Sequence, residues 1–109
     1  MLYQTNARYF GEVLAESKRR PVLLDFYAGW CAPCRALAPE LDAVSERLSE
    51  QIAAYSVDTD TEPALAERYG IDKLPAVLLL QNEAVTARWE GNVNAAAIEA
   101  YLKQEKAGR

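Results

Sequence analysis

The order in which helical and strand patterns alternate is the feature that most constrains how this chain can fold. The helical patterns repeat apolar residues every three or four positions, and the strand patterns are short apolar runs bounded by turn residues. In chain order they predict a helix over 5–17, a strand over 21–28, a helix from about 34 to 48, a strand over 52–58, a short helix over 63–69, strands over 76–80 and 84–90, and a helix over 94–106.

This order predicts an α/β fold built on a mixed sheet. Alternating strands and helices are typical of parallel crossover units. The last two strands are separated only by Gln81, Asn82 and Glu83, a gap of hairpin length, so they should be antiparallel. The N-terminal segment MLYQ is a candidate edge strand. We therefore predict a four- to five-stranded sheet with helices on both faces.

Length and composition predict a single domain over residues 1–109. A chain of 109 residues, half of them apolar, can bury a core without metals or cross-links. The net charge is −4 and the twelve basic residues are scattered, which disfavours nucleic acid and membrane surfaces as partners. No apolar run approaches the roughly 20 residues of a membrane span, and the N-terminus lacks the pattern of a signal peptide. We therefore expect a cytoplasmic monomer.

The two cysteines, Cys31 and Cys34, are separated by two residues and allow three interpretations. A structural zinc site needs four Cys or His ligands, and the chain has two cysteines and no histidine. A structural disulfide stabilises mainly by closing a long loop, and this loop is nearly the shortest possible. A redox couple is therefore favoured, in keeping with the use of cysteine pairs in cytosolic proteins.

Cys31 follows a predicted strand and the turn YAGW, so it should lie at or next to the start of a helix. The first helical turn presents unpaired N–H groups and the positive end of the macrodipole, which lower the pKa of a thiol there. Pro33 fits that turn because its missing N–H would have no helical partner. Cys34, one turn further in, is close enough to form a disulfide with Cys31. Pro39, inside the same helix, should kink it.

Asp25 is an acid in the middle of an otherwise apolar strand, six residues before Cys31. Burying an ionised carboxylate is costly, so the pKa of Asp25 should rise if the strand is buried. The alternative is that Asp25 faces solvent on an amphipathic strand. A buried acid close to two thiols could accept the proton that Cys34 must lose before it attacks a mixed disulfide.

The segment LLDFYAGWCAPCRALAPEL resembles the active-site region of the thioredoxin family. There a strand ending Asp-Phe-Trp-Ala is followed by Trp-Cys-Gly-Pro-Cys and by a helix with a proline five residues after the second cysteine. The resemblance continues through VDTDTEPALAERYGIDKLPAVLLL and covers almost the whole chain. The residues that match are Asp25, Trp30, Cys31, Pro33, Cys34 and Pro39, and Gly91 stands where the family has a glycine flanking the site.

The resemblance implies the thioredoxin fold and a thiol–disulfide oxidoreductase that binds no cofactor or metal. It implies a redox-active disulfide in which Cys31 attacks, Cys34 resolves and Asp25 relays a proton. It also implies a cis bond between Leu74 and Pro75 facing the cysteines, although an ordinary trans proline is the simpler expectation from the residues alone. The implied substrate groove consists of Trp30, Ala32, Pro33, Leu74, Pro75, Ala76 and Gly91.

Several positions depart from the family pattern. Tyr27 replaces a tryptophan before the active-site loop, Ser56 a lysine near the buried acid and Ala76 a threonine after the proline. Ala32 replaces the glycine between the cysteines. We expect these changes to affect the substrate groove and the reduction potential of the cysteine pair more than the exchange chemistry itself. The usual glycine of the last hairpin is also missing, and Asn82 could supply the left-handed residue there.

The uncharged pair Ala32-Pro33 favours a reducing couple. Strong oxidants of the superfamily resemble one another in carrying a histidine between the cysteines, which stabilises the reduced form. The resemblance therefore implies a protein-disulfide reductase in electron transport and cell redox homeostasis. Its implied partners are protein disulfide substrates and a separate flavin- and NADPH-dependent thioredoxin reductase. A thioredoxin-like binding module or co-chaperone with secondary redox activity is the alternative.

Overall fold

The computed structural model describes residues 1–107, with side chains described through residue 104, so residues 108 and 109 of the predicted domain lie outside the described residues. Within this range the strands and α-helices follow one another in the predicted order. They are β1 (Leu2–Gln4), α1 (Phe10–Glu16), β2 (Val22–Tyr27), α2 (Ala32–Arg47), β3 (Ala53–Asp58), α3 (Pro63–Arg68), β4 (Ala76–Gln81), β5 (Ala84–Glu90) and α4 (Ala95–Ala107).

The strands form one mixed sheet in the order β1-β3-β2-β4-β5. β1, β3 and β2 are parallel to one another, whereas β4 is antiparallel to β2 and β5 is antiparallel to β4. The β4–β5 pairing confirms the predicted hairpin, and β1 confirms the predicted edge strand. β2 lies at the centre, so the segment that leads into the cysteine pair is held by hydrogen bonds on both sides.

The central strands β2 and β4 are buried on both faces of the sheet, whereas the edge strands β1 and β5 are largely exposed. On one face Leu23 packs with Leu41 of α2 and Ile98 of α4. On the other face Phe26 packs with Val13 of α1 and with residues of α3. Burial on both faces explains why β2 and β4 are almost continuously apolar rather than alternating. No helix among residues 1–107 is both long enough and apolar enough to cross a membrane.

The start of α1 differs from the sequence prediction for a local reason, whereas α3 starts where predicted. The Asn6 side chain accepts a hydrogen bond at the start of a 3₁₀ turn over Ala7–Tyr9, so α1 begins one turn later than predicted. α3 begins at Pro63, and its N-cap residue Glu62 makes no side-chain capping hydrogen bond. The Glu62 carboxylate instead accepts a hydrogen bond from the backbone of the 3₁₀ turn, 55 residues earlier in the chain.

Left-handed backbone appears at the turn after α3 and in the β4–β5 hairpin. Gly70 follows α3 with φ 62°, the position at which a helix end favours glycine. In the β4–β5 hairpin, Asn82 has φ 52° and Glu83 has φ 68°. Asn82 therefore supplies the left-handed residue as expected, and Glu83 supplies an unexpected second one.

Candidate active site

Cys31 is the N-cap residue of α2. Its backbone N–H donates to the Ala28 carbonyl at 3.1 Å, which closes the turn that leaves β2. Its Sγ atom accepts a hydrogen bond from the Cys34 backbone N–H at 3.3 Å. The sulfur therefore lies at the positive end of a 16-residue helix, where backbone donors stabilise a thiolate once the disulfide is open.

Cys31 and Cys34 form a disulfide, with their Cα atoms 5.3 Å apart. Cys31 is 6% exposed and Cys34 is 2% exposed, so Cys31 is the more accessible of the two. The buried Ala28 completes the cluster, and Tyr27 and Leu74 pack against it. Both cysteines are therefore nearly buried in the oxidised protein, and Cys31 lies slightly closer to solvent than Cys34.

Asp25 lies in β2 and is only 2% exposed, so the alternative of a solvent-facing aspartate is wrong. It alternates with Leu23, which places its carboxyl group on the face that α2 covers, with Ser56 and Val77 as its neighbours on β3 and β4. Its Oδ1 atom accepts no hydrogen bond from the described residues. Burial raises the pKa of Asp25 to about 7.

The peptide bond between Leu74 and Pro75 is cis, which confirms what the family resemblance implied. Pro75 is buried directly before β4, and Leu74 packs against the cysteine pair. The Gly91 N–H donates to the Pro75 carbonyl at 2.8 Å. Gly91 has φ 75°, a conformation that favours glycine. The loop before β4 and the turn after β5 are therefore tied together next to the cysteines.

The remaining predicted groove residues separate into two groups. Trp30, Ala32 and Pro33 are exposed around Cys31, and Trp30 is 71% exposed. The Trp30 indole N–H points towards Asp60 Oδ1, at 3.5 Å. Ala76 is fully buried in the core cluster on the α1 and α3 face of the sheet. The structure therefore does not bring the Ala76 side chain to the cysteine pair.

Tyr27 contacts the cysteine cluster although it was not among the predicted site residues. Its hydroxyl accepts a hydrogen bond from the Gln4 side-chain amide at 3.1 Å. Burial, and then the negative charges of Asp58 and Asp25, raise the pKa of Tyr27. The alternation of β2 was a usable signal, because it places Tyr27 on the same face as Asp25. The Gln4 contact joins segments far apart in the chain and had no local signal.

These groups together can carry out thiol–disulfide exchange. A sulfur at a helix start provides an attacking thiolate, a second sulfur can resolve a mixed disulfide, and an acid with a pKa near neutrality can exchange a proton. Among the described residues, no group of three or more His, Cys, Asp or Glu side chains is arranged to hold a metal ion.

The Thioredoxin family model matches residues 1–104 of the chain. The chain belongs to the thioredoxin family. A thioredoxin-like protein of Synechocystis sp. is 44% identical over 94 residues, which cover 86% of this chain and 89% of that protein. Chloroplastic thioredoxin Y2 of Arabidopsis thaliana is 42% identical over 78 residues, which cover 72% of this chain and 47% of that protein.

A solved structure confirms the predicted fold. The crystal structure of chloroplastic thioredoxin z aligns with a TM-score of 0.85 and 28% sequence identity. The alignment covers 97% of this chain and 95% of thioredoxin z. The mixed sheet with helices on both faces is therefore a thioredoxin fold.

Family membership establishes the general chemistry. Thioredoxins are disulfide oxidoreductases that use an intrinsic redox disulfide, act on protein disulfides and are reduced by thioredoxin reductase. In Mycobacterium leprae a bifunctional thioredoxin reductase/thioredoxin is 34% identical over 86% of this chain, which spans 20% of that protein. The chain also spans about half of the Arabidopsis relative, at 47% of its length.

The expected cytoplasmic location is wrong. It rested on composition, and the comparisons contradict it because thioredoxin Y2 and the structurally similar thioredoxin z are both chloroplastic. Composition and cysteine number indicate whether a protein suits an oxidising or a reducing compartment, but they do not identify which compartment it occupies.

Proposed function

We propose that this chain is a protein-disulfide reductase that works through Cys31-Ala32-Pro33-Cys34. The observation that carries the proposal is the placement of the two sulfurs on α2. Cys31 caps the helix and is the more exposed cysteine, and Cys34 lies one turn further in and is bonded to it. This asymmetry suits one attacking and one resolving thiol.

The reaction proceeds in two exchanges after the pair has been reduced. The Cys31 thiolate attacks one sulfur of a substrate disulfide, so the substrate S–S bond breaks, a mixed disulfide forms and the leaving thiolate takes up a proton. The Cys34 thiolate then attacks the Cys31 sulfur, which re-forms the Cys31–Cys34 bond and releases the second substrate thiolate. Two electrons pass from the cysteine pair to the substrate.

Asp25 accepts the proton that Cys34 loses before the second exchange. The carboxyl group lies on the face of the sheet that α2 covers, and Cys34 is in the first turn of α2. Because the pKa of Asp25 is raised to about 7, the group can both accept and release a proton near neutral pH. The transfer occurs directly or through one water molecule.

The substrate lies against the exposed rim of the cysteine site. Trp30, Ala32 and Pro33 surround Cys31, and Leu74, Pro75 and Gly91 form the opposite side. The backbone before β4 can pair with an extended substrate segment, as sheet edges do in peptide recognition. Ala76 contributes backbone only, because its side chain is buried in the core.

The residues between the cysteines support a direction for the disulfide exchange. Ala32 and Pro33 carry no charge to stabilise the reduced form, so the couple is reducing. We infer that a flavin- and NADPH-dependent thioredoxin reductase returns the pair to the dithiol. We also propose that residues 1–109 form one domain, which the reach of the family match over residues 1–104 supports, and that the chain acts as a monomer.

Replacement of Cys34 by serine tests the two thiol roles. A Cys34→Ser variant mixed with a disulfide-containing protein should accumulate a covalent adduct on Cys31 that dithiothreitol releases. The matched Cys31→Ser variant should form no adduct. Mass spectrometry of the unreduced mixture measures both results, and absence of an adduct on Cys31 contradicts the assigned roles.

An insulin-reduction assay with dithiothreitol separates the reductase from a binding module or co-chaperone. The reductase should precipitate insulin well above the uncatalysed rate, and the Cys31→Ser variant should not. If the wild-type chain gives no turnover above background, the binding module is the better description.

A further inference from the structure

The hydrogen bond between Gln4 and Tyr27 joins two strands that are not neighbours in the sheet. Gln4 is the last residue of β1, Tyr27 is the last residue of β2, and β3 lies between the two strands. The Gln4 Nε2 atom donates to the Tyr27 hydroxyl at 3.1 Å. Because neighbouring strands are about 4.8 Å apart, the two side chains must extend towards each other across the face of β3.

This contact, the Gln4–Tyr27 bridge, lies on the face of the sheet that α2 covers. Leu2 packs in the core cluster beneath α2, and alternation places Gln4, two residues later, on the same face. Alternation likewise places Tyr27 on the face of Asp25, two residues earlier in β2. The bridge and the Asp25 carboxyl group therefore share one face.

The register of the parallel strands shows where the bridge crosses β3. Gln4 is paired with Ser56, and Ser56 is paired with Asp25, so these three residues form one row across the sheet. Tyr27 is paired with Asp58, two residues further along β3. The bridge therefore crosses β3 between Ser56 and Asp58, at the border of the row that contains Asp25.

Exposure decreases from the bridge towards Asp25. Gln4 is exposed and Tyr27 is half-buried, whereas Ser56 is 9% exposed and Asp25 is 2% exposed. The Tyr27 ring also packs against the cysteine pair. A tyrosine can bury its ring while its hydroxyl is anchored at the surface. The bridge is thus the outer layer over a polar row whose inner end is the buried carboxyl group.

The charged groups on the elements around Asp25 do not explain its protonation behaviour. Burial is the cause that raises its pKa to about 7. Its neighbour on β4 is apolar, and the acid closest to it in register on β3 is Asp58. On α2, Arg35 and Glu40 are exposed, and Asp42 accepts a hydrogen bond from a β1 backbone N–H at 2.9 Å. Exclusion of water is therefore the property that matters at this carboxyl group.

We propose that the Gln4–Tyr27 bridge keeps water away from the Asp25 carboxyl group and that both residues are positioning residues for its proton transfer. Without the bridge, water would reach the row from the carboxyl end of the sheet. Hydration favours the charged form, so Asp25 would ionise more readily. The consequence for catalysis rests on the proposed function, in which Asp25 accepts the Cys34 proton, whereas the shielding itself can be measured in the oxidised protein.

NMR titration of the Asp25 side-chain carboxyl carbon in the oxidised full chain tests the shielding. Tyr27→Ala removes the ring and should lower the Asp25 pKa by about 1. Tyr27→Phe and Gln4→Met each remove only the hydrogen bond and should each lower it by about 0.5. The double variant should show the same decrease as either single variant, because each change breaks the same bond.

The matched control is Tyr3→Phe. Tyr3 precedes Gln4 in β1 and faces the opposite side of the sheet, where its ring lies 6.4 Å from that of Tyr55. This variant loses the same hydroxyl group and should leave the Asp25 pKa unchanged. Thermal unfolding verifies that all variants fold.

Three outcomes contradict the proposal. They are an unchanged Asp25 pKa in folded Tyr27→Ala, an equal decrease in Tyr3→Phe, and additive decreases in the double variant. The first would mean that α2 alone excludes water, the second that the effect is not local, and the third that the two side chains act separately.

The pH profile of insulin reduction separates this inference from the proposed function. The pH midpoint of the rate should fall together with the Asp25 pKa in the Tyr27 and Gln4 variants. A lower pKa with an unchanged midpoint supports the shielding and contradicts the assignment of Asp25 as the proton acceptor. Failure of the adduct experiment on Cys34→Ser would contradict the thiol roles and would leave the titration result standing.

Discussion

Asp25 has a position that suits proton exchange and weakens the fold. Its carboxyl group is buried under α2, and Oδ1 accepts no hydrogen bond from the described residues. Because ionising it there is costly, its pKa lies at about 7, where it can exchange a proton in neutral solution. The same burial means that the folded state is destabilised whenever the group is ionised.

Replacement of Asp25 by asparagine should stabilise the oxidised protein at high pH and much less at low pH. The folded pKa of about 7 lies above the ordinary value of 3.8, so the wild-type stability falls as pH rises from about 4 to 7. The gain in unfolding free energy should be about 3–4 kcal/mol larger at pH 8 than at pH 4, at 1.36 kcal/mol per pKa unit. Urea unfolding at the two pH values measures this difference.

The matched control for that experiment is Asp72→Asn, because Asp72 is exposed. Its effect on stability should be small at both pH values. If Asp25→Asn and Asp72→Asn show the same pH dependence, the burial of Asp25 is not the cause.

Ala32 is expected to control the reduction potential. It is exposed at the first position of α2, between the two sulfurs. Ala32→His should add a cation that stabilises the Cys31 thiolate and so raise the potential by about 30 mV or more, the equivalent of one pKa unit. Equilibration with glutathione buffers measures the potential. Ala32→Gln is the neutral control, and an equal shift in both variants would exclude the charge explanation.

At the scale of elements, the central strand and the helix that follows it build the site. β2 carries Asp25, the turn after it is closed by the hydrogen bond from Cys31 to Ala28, and α2 starts at Ala32. α2 runs without interruption past Pro39. The kink predicted at Pro39 stays a prediction, because the element bounds do not test it.

In the β4–β5 hairpin, Glu83 combines an unfavourable backbone conformation with a favourable ion pair. A non-glycine residue with φ 68° costs about 1–2 kcal/mol in the left-handed region, and Glu83 also pairs with Lys18 at 2.9 Å. Glu83→Gly should raise the unfolding free energy by about 0.5–1 kcal/mol, because relief of the backbone conformation exceeds the loss of an exposed ion pair. Chemical denaturation measures the change.

Asn82→Gly is the matched control for the hairpin prediction. Asparagine tolerates the left-handed region, so this variant should change stability by only a few tenths of a kcal/mol. A larger gain for Asn82→Gly than for Glu83→Gly would contradict the assignment of the conformational cost to Glu83.

For the molecule as a whole, truncating a buried side chain should lower the unfolding free energy by a similar amount on either face of the sheet. Leu78 and Leu79 are both fully buried, and alternation along β4 places them in opposite core clusters. Leu78→Ala and Leu79→Ala should each lower the unfolding free energy by about 2–5 kcal/mol. Val85→Ala, at a residue 39% exposed, should cost less than about 0.5 kcal/mol. Urea titrations compare the three, and a small cost for either leucine would contradict burial on both faces.

The sequence by itself determined the order of the elements, the hairpin and the position of the cysteine pair at a helix start. These features depend on local periodicity, on turn length and on the residues directly around Cys31. The cis bond before Pro75 and the roles in disulfide exchange came from the family resemblance instead. Composition could not identify the compartment, because it reflects solubility and redox chemistry alone.

Only the tertiary structure decided which side chains are buried and which distant residues meet. It buried Asp25, placed the Ala76 side chain in the core away from the cysteines and brought Gln4 to Tyr27. The physical reason is that burial and long-range contacts depend on how helices cover the two faces of the sheet. Residues with the same local sequence pattern can therefore lie in the core, in the substrate groove or at the solvent-exposed surface.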